Sequence, residues 1–166
     1  ETLLQKSMQL LQQSIDENRS LSRRLSPPTR NGMKLADSVQ ELVDTVAVAR
    51  KFEISLQATA ICDLQVSEAL HIALYRILQE QLTNITRHAN ASLVHVAVKK
   101  EGDRLSLNVT DNGRGFDTSQ KRTGIGITNM RMRAENLGGT LSIRSRQGQG
   151  CILLATFPLS HHTPGH

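Results

Sequence analysis

The stretch that most constrains this chain is residues 111–139, DNGRGFDTSQKRTGIGITNMRMRAENLGG. An acidic residue, Asp111, closes an alternating run in which Leu105, Leu107 and Val109 are the apolar members. Gly113 and Gly115 follow at once, then a polar segment, then Gly124 and Gly126 opening a helical pattern. Glycines at such spacing tolerate positive φ and let backbone N–H groups approach an anionic ligand. The first turn of the helix would add the positive end of its dipole. One carboxylate and two glycine turns around a polar loop point to a nucleotide site. The lysine-bearing GxxxxGK[ST] loop is absent, which excludes a P-loop protein. Glycine clusters also mark ordinary turns, so the decision rests on the rest of the chain.

In chain order, Leu4, Met8, Leu11, Ile15, Asn18, Ser22 and Leu25 recur at 4-3-4-3-4-3 spacing, the mark of a packed helical seam. The spacing predicts a helix over 1–26, stopped by Pro27 and Pro28. A linker containing Asn31-Gly32 leads to a second helix over 35–50, with Val39, Leu42, Val43, Val46 and Ala47 on one face. Phe52, Ile54 and Leu56 alternate with polar residues as in a half-buried strand. Ser67 is a suitable N-cap for a long helix over 68–89. Leu70, Leu74, Ile77, Leu78, Leu82 and Ile85 form its buried side. Glu80, Asn84 and His88, at i, i+4 and i+8, share another face with Arg76 and Arg87.

Segments 93–99 and 104–110 read as a hairpin, so a strand delivers Asp111. Residues 116–123 are short, polar and unpatterned, as suits a mobile lid. A helix over 127–138 closes at Gly138-Gly139. A last hairpin, 140–145 and 151–157, turns at Gly148–Gly150. The segment 160–166 reads as a disordered tail, its histidines lacking partner ligands at metal spacing.

Within this order, RILQEQLTNITRHA at 76–89 resembles the N-box of the GHKL ATPase superfamily, named for gyrase, Hsp90, histidine kinases and MutL. DNGRGF resembles its first glycine box, GIGITNMRMRAENLGG its second and GQG at 148–150 its third. The match is closest to sensor histidine kinases of the NarX/DesK type. Arg19–Arg24 with Leu25-Ser26-Pro27-Pro28 resembles the end of the second dimerisation helix in that group. The resemblance implies an α+β chain: a two-layer α/β sandwich with a mixed sheet, helices on one face and an N-terminal dimerisation helix. It divides the chain into half a dimerisation bundle (1–30), an ATP-binding catalytic domain (31–159) and the tail.

What the resemblance implies for the site follows residue by residue. ATP needs a base reader, and the ionised carboxylate of Asp111 accepts from the adenine amino group while rejecting a guanine carbonyl. Gly113 and Gly115 let backbone pass close to base and sugar. Asn84 offers a neutral oxygen to Mg²⁺, which takes most of its charge match from phosphates and water. Glu80 stands where the family's N-box acid orients the attacking group. Arg87 and His88 donate to phosphate oxygens, and Gly124 and Gly126 wrap the γ-phosphate. Thr156 stands near adenine, and Cys151 replaces the threonine that usually ends the third box.

The phosphoacceptor of such kinases lies in a His-Asp or His-Glu pair, and neither pair occurs here. The expected activity is therefore ATP binding and phosphotransfer to a histidine outside this chain. The expected partners are a second copy of the longer kinase and a NarL-type response regulator. An anti-sigma-factor serine kinase of the same fold and a non-catalytic nucleotide-dependent interaction module are the alternatives.

Composition narrows the field further. The net charge of +5 invites a nucleic-acid reading, but the basic residues are scattered and no aromatic stacking platform accompanies them. No run approaches the roughly 18 apolar residues of a membrane helix. The polar amino terminus does not read as a secretory signal. A cytoplasmic domain is expected, with upstream segments the only place for a membrane tie if there is one. Cys62 and Cys151 show no metal spacing and read as buried free thiols.

Overall fold

The computed structural model describes residues 32–49, 52–117 and 125–159. The expected dimerisation helix, Gly124, most of the expected lid and the tail lie outside the described residues. Alternating apolar and polar residues build β1 (Glu53–Gln57), β2 (Leu93–Glu101), β3 (Arg104–Asp111), β4 (Thr140–Ser145) and β5 (Cys151–Pro158). They form one mixed sheet of order β1-β2-β3-β5-β4. β1 lies parallel to β2, and the other neighbours are antiparallel. The β2–β3 hairpin pairs Glu101 with Arg104.

One face of the sheet is apolar. Val94, Val96 and Val98 stand beside Leu105, Leu107 and Val109, then Leu153, Ala155 and Phe157, all buried. Three helices cover this face: α1 (Leu35–Ala49), α2 (Glu68–Asn84) and α3 (Ile125–Glu135). α1 contributes Leu35, Val39, Leu42 and Val43, and α2 contributes Leu70, Leu74, Ile77, Leu78 and Leu82. Those three- and four-residue steps put one stripe of each helix on the sheet. The opposite face carries polar side chains such as Ser55, His95, Ser106 and Thr156, with Ile152 and Leu154 partly exposed. The expected two-layer arrangement, helices on one side of a mixed sheet, is what forms.

Local chemistry sets the helix ends. Ser67 caps α2, its hydroxyl accepting from the Leu70 N–H at 3.3 Å. The sequence predicts regular helix to 89, but α-geometry stops at Asn84. Ile85–Ala89 forms a wider π-type turn, closed by Asn90 at φ 50°. Asparagine tolerates that left-handed conformation better than most residues. α3 runs Ile125–Glu135 rather than 127–138. Its exit is a Schellman-type cap: the Gly139 N–H donates to the Ala134 carbonyl and the Gly138 N–H to that of Glu135, each at 2.9 Å. Cys151 is buried as expected, but Cys62 is exposed, because it follows the short 3₁₀ turn Thr59–Ile61 rather than entering the core.

Between α1 and α2 lies a buried polar contact. The Ser38 hydroxyl donates to the Lys34 carbonyl at 3.2 Å, leaving its oxygen to accept from His71 Nε2–H at 2.7 Å. Burial holds the His71 imidazole below its ordinary value, while the charge of Glu68 opposes this. The unfolded chain therefore binds this proton more readily. The stability that depends on a neutral ring is present above about pH 6.5 and is lost as pH falls through the folded value. Lowering pH from 7 to 5 will depress the thermal unfolding midpoint of the wild-type chain more than that of His71→Gln, which keeps a donor without titrating. Equal depressions would show that His71 carries none of the acid sensitivity.

Candidate functional site

The last row of the sheet's inner face reads Val94, Asp111, Cys151, Ser145 across β2, β3, β5 and β4. Asp111 takes the next inward position after Leu105, Leu107 and Val109. Strand alternation, rather than a loop, thus drives its carboxylate into the interior, where the residue is only 4% exposed. Oδ1 accepts from the Gly113 N–H at 2.8 Å. Oδ2 is buried and has no hydrogen-bond partner among the described residues. Burial pushes the carboxyl above its ordinary value, and the Gly113 amide partly offsets this.

Asp111 lines a cleft of about 430 Å³. One wall is the exposed side of α2 and its π turn, with Glu80, Asn84 and His88 in line and Gln81, Ile85 and Ala89 deeper. Ile143 and Cys151 of the sheet and Ile127 of α3 supply the opposing surface. Arg114, Gly115, Phe116 and Gly126 complete the lining. An apolar slot with one buried acceptor at its base suits a flat heterocycle bearing an amino group. The oxygen donors Glu80 and Asn84 on α2, with His88 of the π turn and Arg114, suit phosphates and a divalent cation.

Backbone stitches hold Asp111 in place. Gly113 packs so closely that a Cβ there would strike the Ala89 carbonyl and the Asp111 carboxylate. The next N–H, of Arg114, donates to that Ala89 carbonyl at 2.7 Å. Gly115, at φ 58°, passes against the Arg146 carbonyl, while the Arg114 carbonyl accepts from the Gly148 N–H at 2.6 Å. The segment 113–115 therefore runs between the π turn and the third glycine turn with no room for a side chain at either end. Asn112 clamps the start of β2: its Oδ1 accepts from the N–H groups of Ser92 and Leu93 at 3.0 and 2.9 Å, and its Nδ2 donates to Ser92 Oγ at 2.8 Å. The Ser145 hydroxyl accepts from the Phe116 N–H at 2.9 Å and donates to the Gly150 carbonyl at 2.7 Å.

The structure gathers Glu80, Asn84, His88, Asp111, Gly115 and Gly126 around one cleft. Gly126 opens α3 directly against the Glu80 carboxylate, so a methyl group there would push that carboxylate aside. Gly113 supports Asp111 from behind. Arg87 is exposed and does not line the cleft, because the π turn directs His88 there instead. Thr156 does not line it either. Cys151, Leu153, Ala155 and Phe157 face inward, so Thr156 faces outward and its hydroxyl pairs with that of Thr140 at 2.8 Å. Sequence reasoning passed over Gln81, Asn112, Ser145 and Arg114. Only Gln81 carried a signal, as a polar residue within the apolar stripe of its helix.

A model of the family described as histidine kinase-, DNA gyrase B-, and HSP90-like ATPase matches residues 69–161. Sensor histidine kinase LiaS of Bacillus subtilis is 33% identical over 145 residues, covering 87% of this chain and 39% of its own. Sensor histidine kinase MctS of Rhizobium johnstonii is 32% identical over 165 residues, covering 97% and 35% respectively. The signal transduction histidine-protein kinase/phosphatase UhpB of Salmonella typhimurium is 34% identical over 133 residues, covering 80% and 27%. The chain thus spans 27% to 39% of the length of these relatives. Among solved structures, the histidine kinase domain of the Erythrobacter litoralis EL346 blue-light activated histidine kinase superposes with a TM-score of 0.68 at 21% identity. That superposition covers 77% of this chain and 62% of the other, a likeness of fold.

The unpartnered oxygen of Asp111 makes the carboxylate a cost to the unliganded fold. Asp111→Asn will keep the fold and raise stability at pH 7 by about 1 kcal/mol, because a neutral amide is cheaper to bury than a charge lacking one partner. A thermal melt without ligand checks this. A fall of similar size would show that the carboxylate stabilises the fold itself.

Proposed function

The chain belongs to the family of histidine kinase-, DNA gyrase B- and HSP90-like ATPases, and we propose that it is the ATP-binding catalytic part of a bacterial two-component sensor histidine kinase. The observation that carries this reading is Asp111 Oδ2, a buried acceptor without a partner at the base of an apolar slot. It is the complement of the adenine amino group, and a guanine carbonyl there would meet a like dipole. The names of the relatives supply the reaction class.

In this reading the base lies between Ile85 and Ala89 on one side and Ile127 and Ile143 on the other. The phosphates extend along α2 toward His88, with Arg114 adding positive charge at the rim. Asn84 and Glu80, one helical turn apart, fit a hard cation, and they are the residues that would hold Mg²⁺. A cation held there would supply positive charge to offset that of the phosphate oxygens. Glu80 positions the attacking group; Gly126 behind it leaves its carboxylate the space to do so. Phosphoryl transfer needs positioning and charge stabilisation more than a strong base. The bond between the γ-phosphorus and the bridging oxygen breaks, a bond to an imidazole nitrogen forms, and ADP leaves. Gly113, Gly115 and Gly124 serve the site through their backbone. Arg87 and Thr156 take no direct part.

No His-Asp or His-Glu pair occurs within the sequence, so in this reading the acceptor belongs to residues outside this chain. The longer protein acts as a homodimer with a NarL-type response regulator as its phosphate acceptor partner. It works in the cytoplasm, and no described helix is long and apolar enough to cross a membrane.

Incubation with γ-labelled ATP and a fragment carrying the acceptor helix of the same protein tests the reading. Acid-labile label on the fragment and none on this chain is expected; acid-stable label on a partner serine would favour the anti-sigma-factor alternative. Asn84→Ala will abolish the gain in ATP affinity on adding Mg²⁺, measured by calorimetry. Survival of that gain would place the cation elsewhere.

A further inference from the structure

Among the described residues, Gln81 is the one buried amide side chain on the cleft wall, only 4% exposed. Its neighbours along the helix stripe are Leu74, Ile77, Leu78, Leu82 and Ile85, where another aliphatic residue would pack at lower cost. Its Nε2 donates to Cys151 Sγ at 3.9 Å. Thiol sulfur is a weak acceptor, so this contact holds the amide in place while spending little of its donor capacity. Cys151 in turn stands directly across the ladder from Asp111. The deep end of the cleft therefore presents, side by side, an unpartnered carboxylate oxygen and an N–H-rich amide steadied by a thiol.

The edge of adenine presents the reverse pair: an amino donor beside the ring nitrogen N1, an acceptor. We infer that Gln81, steadied by Cys151, is a second base-reading residue that donates to N1 while Asp111 accepts from the amino group. This rests on the adenine-nucleotide reading above and adds a specificity determinant to it. Nε2 carries two protons: one stays on the Cys151 sulfur and the other meets N1. Hypoxanthine and guanine carry an N1–H at that place, which would oppose the amide N–H. Burial pushes the Cys151 thiol up to about 11, so the sulfur stays neutral and adds no second charge beside Asp111.

The probe is 1-deazaadenosine triphosphate, which keeps the amino group but has carbon in place of N1. Its affinity is compared with that of ATP by calorimetry on the 166-residue chain, in wild type, Gln81→Met and Gln81→Leu, with circular dichroism confirming the fold of each. The wild type will bind ATP about three- to ten-fold more tightly than the deaza analogue, the effect of one hydrogen bond. In Gln81→Met the two affinities become equal. In Gln81→Leu they become equal as well, because neither apolar side chain can donate to N1. A purely structural Gln81 would weaken both ligands alike and leave the ratio unchanged. Equal affinities in wild type, or a preference that persists in either folded variant, overturns the proposal while leaving the adenine reading intact. A wild-type chain that binds neither nucleotide removes both.

Discussion

Everything in this site depends on one buried carboxylate. β3 sets Leu105, Leu107, Val109 and Asp111 on the same face, and the apolar stripe that builds the core delivers an acid to its end. Burying a charge with one oxygen unpaired is costly in a folded chain. The Gly113 amide meets half of the demand, and the other oxygen is buried without a partner among the described residues, in a side chain that lines the cleft. A ligand that donates to Oδ2 recovers what the fold gives up, which makes binding selective for an amino group at that point. The strain on the fold and the selectivity of the site thus have the same source.

The surrounding backbone is arranged so that Asp111 cannot withdraw. Asn112 fastens the strand end to β2, Arg114 fastens the next turn to Ala89, and Ser145 fastens Phe116 to the third glycine turn. Gly113 and Gly115 are what allow three pieces of backbone to meet at this distance. The glycine boxes of the sequence therefore act first as packing devices around the acid. Gly126 extends the same logic to the far wall, letting α3 start against Glu80.

Much of this was legible in the residues. Ser67 and Gly138 marked helix ends because capping chemistry is local, and the hairpin patterns marked β2 to β5 because alternation has a fixed period. An acid at an inward position of a strand was visible as an exception to its own pattern. The π turn at Ile85–Ala89 was not legible, since its side chains fit a regular helix equally well, and Arg87 was assigned to the site in consequence. Thr156 was misplaced although its parity with inward-facing Cys151 puts it on the outer face. Gln81 was passed over, although it interrupts an apolar stripe. The stitches made by Asn112 and Ser145 depend on contacts 19 or more residues away in one case and 29 in the other, which no local pattern encodes.

The central claim is that a buried carboxylate selects its ligand by an amino group. The most direct measurement is the calorimetric affinity of the wild-type chain for ATP against inosine triphosphate, in which a carbonyl replaces the amino group. Because Asp111 Oδ2 would then face a like dipole across a dry contact, inosine triphosphate is expected to bind at least about ten-fold more weakly. Equal affinities for the two nucleotides would contradict the account, since the carboxylate would then be reading nothing.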